Sequence, residues 1–69
     1  MDIQPGDIVI IKAYPKEKLT RRVAEVRPPI LLLTTDQEWR DSQSKKRNPI
    51  CIGFPIKDVI RVEKLADSN

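Results

Sequence analysis

The sequence predicts an all-β fold: a small, five-stranded, partly open barrel with one 3₁₀ turn before its last strand. Three observations carry this expectation. The apolar residues are mainly Ile, Val and Leu, while the aromatics number three, Tyr14, Trp39 and Phe54. β-Branched side chains are stiff at χ1 and pack well on a pleated surface, so such a set favours strands. The opening stretch, Gln4-Pro5-Gly6-Asp7-Ile8-Val9-Ile10-Ile11-Lys12, runs from a turn straight into β-branched residues, and Phe54-Pro55-Ile56-Lys57-Asp58-Val59-Ile60-Arg61-Val62 echoes it near the C-terminus. These two segments are expected to pair and close the barrel. Between them lie short apolar runs separated by prolines and polar stretches.

In order, the first strand is expected over Asp7–Ala13, with Val9, Ile11 and Ala13 on one face and Ile8, Ile10 and Lys12 on the other. Because both faces start apolar, this strand is expected to be covered on two sides. Tyr14 to Lys18 reads as a loop with a charged tip. Thr20 to Val26 forms the second strand, and the uneven spacing of Val23 and Val26 points to a bulge. Pro28-Pro29 stops it, since neither residue donates to a ladder. Ile30 to Thr35, the most hydrophobic run, reads as a third, central strand.

Residues 36–49 (DQEWRDSQSKKRNP) are expected to form a long polar loop. Thr35-Asp36-Gln37-Glu38 fits a capping box for a short helix, but almost no apolar face follows it; a frayed extension of the flanking strands is the other alternative. Ile50 to Phe54 reads as the fourth strand, with Ile50, Ile52 and Phe54 on one face and Cys51 on the other. Gly53 there suggests a close backbone crossing. Pro55 to Asp58 reads as the 3₁₀ turn and Val59 to Glu63 as the last strand. The 69 residues are expected to make one domain, with 64–69 a frayed polar tail. A chain this short buries only roughly 60% of its unfolded surface, which leaves a thin core.

Pro5-Gly6-Asp7-x-Val9-x-Ile11 at the start and Pro55-Ile56-Lys57-Asp58-Val59-Ile60-Arg61-Val62 at the end resemble the strands of a Src-homology-3-like barrel of the KOW and Tudor kind. The outline is also similar to small conserved barrel proteins of marine cyanobacteria. This resemblance implies the fold. The functions of these families do not follow, because Ala24 stands where a KOW motif has glycine. Tyr14, Trp39 and Phe54 are too dispersed for a Tudor aromatic cage, and only Tyr14 stands in the first loop.

Composition narrows function by exclusion. With no histidine, one cysteine and two glycines, the chain has no common general base, no metal-ligand spacing and no phosphate-cradling loop. No catalytic residue, metal or cofactor is expected, and Cys51 reads as a small hydrophobe on a strand. The absence of a disulfide pair or an apolar leader points to a cytoplasmic protein. The longest apolar run, Ile30 to Leu33, falls far short of the ~20 residues that cross a membrane. Thirteen basic residues against ten acidic ones give a net charge of +3, which permits an acidic partner without requiring one.

The distinctive chemistry lies in Lys45-Lys46-Arg47 with Trp39 and Arg40 nearby, extended by Arg21 and Arg22 if the second strand lies beside them. Cations beside a stacking surface suit single-stranded nucleic acid. The first expectation is therefore a monomeric, non-catalytic binding module that contacts RNA or a ribonucleoprotein through these seven residues. Asp36, Glu38 and Asp41 in the same segment oppose phosphate. They favour the alternative, a protein-docking subunit of a larger complex that uses the mixed-charge loop 36–49. The bland alternatives are a solvated loop whose charges aid solubility and a Trp39 that anchors the loop on the barrel rather than meeting a partner.

Overall fold

The computed structural model of the chain describes residues 2–64. Strand β1 spans Ile8–Ala13, β2 Glu17–Arg27 and β3 Ile30–Thr34; helix α1 spans Asp36–Lys45. Strand β4 follows over Ile52–Pro55, then a 3₁₀ turn over Ile56–Asp58, and β5 over Val59–Glu63. The five strands form one open antiparallel sheet in the order β4-β3-β2-β1-β5, a small barrel-like arrangement.

The two segments that echo each other in sequence do pair: Ile8 lies opposite Glu63, Val9 opposite Val62 and Ile10 opposite Arg61. The turn before β1 is held by Gly6 at φ 95°, a value that disfavours any side chain. It is tied to β2 by Gly6 N–H to Val23 O (2.8 Å) and Val23 N–H to Asp7 O (2.8 Å). Asp7 accepts from Gln4 N–H (2.9 Å) and from Lys64 Nζ (2.6 Å), so the turn before β1 and the residue after β5 meet at one carboxylate. Of the expected tail, Lys64 makes this contact, and 65–69 lie outside the described residues.

Strand β2 gives the sheet its curl. Its first half, Glu17 to Arg22, pairs with β1, and its second half, Arg22 to Arg27, pairs with β3. The register shifts between Val23 and Glu25, which leaves Ala24 as the extra residue of the expected bulge. A bulge sharpens local twist, so one strand serves two partners set at an angle. Val9, Ile11, Val23, Leu31 and Leu33 are buried on the inner face, and Leu19, Val26, Phe54, Ile56, Val59 and Val62 pack around them.

Several expectations are corrected. The strand β2 begins at Glu17, not Thr20, because the hairpin register continues through Lys12 opposite Lys18 and Ala13 opposite Glu17. Strand β1 is not covered on both sides: Ile8 and Ile10 stay half-exposed. The fourth strand starts at Ile52 rather than Ile50. At Gly53 it is the Ile30 side chain that comes close, 3.2 Å from where a Cβ would sit, and not another backbone. The largest correction is residues 36–49, expected as a loop, of which Asp36–Lys45 are an α-helix.

A clamped helix and an apolar groove

The helix starts where the capping chemistry says it can. Thr35 is extended (φ −75°, ψ 159°), and its Oγ1 accepts from Glu38 N–H at 3.1 Å. Asp36 and Glu38 in the first turn and Lys45 in the last match the helix dipole. Lys46 ends it in the left-handed region (φ 54°, ψ 45°), and the N–H of Arg47 reaches Ser42 O at 3.0 Å.

What docks the helix is polar, which is why the lack of an apolar stripe does not prevent it. Ser42 is fully buried, its hydroxyl donating to Trp39 O at 2.8 Å. Trp39 is half-buried beside Gly6, and the Arg22 guanidinium sits 5.7 Å from its ring centroid. Arg22, only 5% exposed, donates from Nε to Asp36 Oδ1 (3.1 Å) and from Nη1 to Gly6 O (2.9 Å), and its Nη2 also pairs with Asp36. Arg40 Nε closes on the second oxygen of Asp36 at 2.7 Å. The Arg22 hydrogen bond first, and Arg40 after it, hold the Asp36 carboxyl below its ordinary range.

A second clamp fixes the chain beyond the helix. Arg47 Nη1 donates to Glu38 Oε2 (2.7 Å) and Nη2 to Asp41 Oδ2 (2.6 Å). Glu38 also accepts the Ile50 N–H at 3.0 Å. The Arg47 hydrogen bond, followed by that of Ile50, lowers the Glu38 pKa to about 2, and the two carboxylates raise that of Arg47. The Ile50 carbonyl is taken by the Thr34 hydroxyl at 2.8 Å. Both backbone polar groups of Ile50 are thus held, yet its side chain is 78% exposed.

That side chain lines a groove of about 450 Å³. Leu33 and Leu19 lie in it with Ile50, Ile52 and Phe54, and Arg21, Thr34, Thr35 and Glu38 supply its polar margin. Ile52 is 66% exposed. Isolated exposed apolar side chains are ordinary, but here Ile50 and Ile52 stand together along one concave surface. A smaller cavity of about 210 Å³ lies beside Tyr14, Pro15 and Asp58.

The seven expected contact residues do not act as one basic patch. Arg22, Arg40, Lys45 and Arg47 are ion-paired with Asp36, Asp41 and Glu38, with Lys45 Nζ 3.5 Å from Asp41. Trp39 packs on the barrel's first turn and serves as an anchor. Among the described residues, Arg21 and Lys46 alone of the six cations in that set make no ion pair, and only Arg21 of the seven lines the groove. The groove residues Leu19, Ile50, Ile52 and Phe54 were not expected as a site. Their signal was the alternating Ile50-x-Ile52-x-Phe54, which reads equally well as the inner face of a core strand. Cys51 is half-buried with Sγ 3.3 Å from Pro49 O, the setting of a small packed side chain. No helix among the described residues is long and apolar enough to cross a membrane. Compared with family models, curated proteins and solved structures, the chain matches none.

Proposed function

We propose that this chain is a cytoplasmic, non-catalytic docking module of a larger protein complex, built on a Src-homology-3-like barrel, and that the groove beside β4 is its docking surface. One observation carries the reading: Ile50 is pinned through both backbone groups while its side chain stands open beside Ile52 over an apolar groove. Holding an apolar side chain rigidly in water contributes little to a monomer. A preorganised apolar anchor is what a protein partner needs, because its ordering cost is met before binding.

Contact with RNA is the second reading, supported by the net charge of +3 and by Arg21 and Lys46. It is weaker because four of the six expected cations already face carboxylates, and each neutralised cation is one fewer phosphate contact. Affinity capture after nuclease treatment separates the two. The docking reading expects a defined protein recovered by the native chain and lost with the double variant Ile50→Ser, Ile52→Ser. Recovery that disappears on nuclease treatment, or that ignores the double variant, overturns it. Titration of Trp39 fluorescence with short RNAs at rising salt tests the second reading, which requires a response that weakens as salt increases.

A further inference from the structure

Resting on the docking reading, we propose that the groove takes an extended segment of a partner protein, with aliphatic side chains at alternate positions and a carboxylate for Arg21. The shape of the surface selects an extended occupant. In the order β4-β3-β2-β1-β5, β4 is paired by β3 alone, so its other edge meets no strand among the described residues. Main-chain groups on such an edge are free to accept an added strand. Side chains two residues apart in a strand lie about 7 Å apart. Ile52 and Phe54 of β4, with Ile50 just before the strand, therefore present the period of an extended ligand and not that of a helix. Four residues of β4 span ~13 Å, which sets the segment at about four or five residues.

The charge of the surface selects the acid. Glu38, the one acidic group of the groove, is committed to Arg47 and to the Ile50 N–H. The Thr34 hydroxyl is committed to Ile50 O. Arg21 donates only to its neighbour Thr20 O, at 2.8 Å, and has no acidic partner among the described residues. One uncommitted positive charge at the rim of an apolar groove fits a single carboxylate beside aliphatic side chains. A nucleic acid strand presents a phosphate at every step and has no aliphatic side chains to fill the groove.

Panning a phage-displayed library of random decapeptides on the native chain tests this. Enriched peptides are expected to share two aliphatic residues at i and i+2 together with an Asp or Glu. Panning on Arg21→Glu should replace that acid with Lys or Arg, and a synthetic peptide from the native selection should bind this variant roughly tenfold more weakly. Arg21→Gln, which keeps a donor to Thr20, is the second variant should the reversal disturb folding; it should lose the preference for acid. Peptide addition should also slow amide exchange within Ile52 to Phe54. Enriched peptides that lack an acid, or whose preference is untouched by either Arg21 variant, overturn the proposed occupant and leave the docking reading standing. Enrichment that is indifferent to the Ile50→Ser, Ile52→Ser variant, or no enrichment at all, overturns both.

Discussion

Replacing Arg22 by Met separates a structural arginine from a ligand-binding one. The methionine keeps an apolar stem against the sheet but removes the guanidinium, and with it the pairing to Asp36, the bond to Gly6 O and the cation over Trp39. Asp36 is about half exposed, so water replaces much of its loss and the ion pair contributes about 1 kcal/mol. The Gly6 carbonyl, left without its donor, costs about 1 kcal/mol more, and the cation–π contact contributes roughly 0.5–1 kcal/mol. The sum is about 2–3 kcal/mol. A domain this size has on the order of 3–10 kcal/mol in all, and each kilocalorie moves its melting point by roughly 4–8 °C. Denaturation followed by circular dichroism should therefore show a melting point lowered by at least about 8 °C, with an unchanged denaturant slope. The cycle with Asp36→Ala is the sharper test. Asp36→Ala alone strands a buried arginine, so the double variant should be less damaged than the two singles predict, by about 1–2 kcal/mol. Additivity within about 0.3 kcal/mol would refute the account of how the helix is docked.

Three further outcomes follow from the same geometry. Glu38 has a folded-state pKa of about 2, below its ordinary 4.5, so between those values the unfolded chain binds the extra proton. The stability it contributes is present above about pH 4.5 and is lost as pH falls towards 2, with Asp36 acting in the same direction. The fall in melting temperature with falling pH over that window should be steeper for the native chain than for Glu38→Gln, and equal pH slopes would contradict the clamp. Gly6→Ala should cost about 1 kcal/mol or more through its positive φ, although Trp39 leaves room for a methyl group at 3.8 Å. Gly53→Ala should cost less, because the Ile30 side chain it meets is 43% exposed and free to give way; a ranking in the other order refutes the assignment. Leu31→Ala, at a position with no exposure, should cost about 2–5 kcal/mol in chemical denaturation, and a loss below 1 kcal/mol would mean that Leu31 is not core.

The strands were legible in the sequence because runs of β-branched residues favour strands and a buried strand face has a period of two, as Val9 and Ile11 display. Even the bulge at Ala24 showed as a break in that period. The helix was not legible because its usual signal, an apolar stripe, is missing. It is held by Ser42 and Trp39, by Arg22 fourteen residues before Asp36, and by Arg47 nine residues after Glu38. A sequence states the sign of a charge but not the partner that folding brings to it. The arginines that read as bait for phosphate are therefore mostly the fasteners of the helix and of the segment after it. The groove was hidden for a related reason. An apolar row at a period of two reads the same whether it faces a core or open water. What decides is whether something lies across from it. The order of the strands leaves β4 at the edge of the sheet, so Ile52, opposite the buried Leu33, stays open to water, and the fastened helix end holds Ile50 beside it. The residues that seemed to be the binding site build the frame, and the residues that seemed to be core form the surface that frame presents.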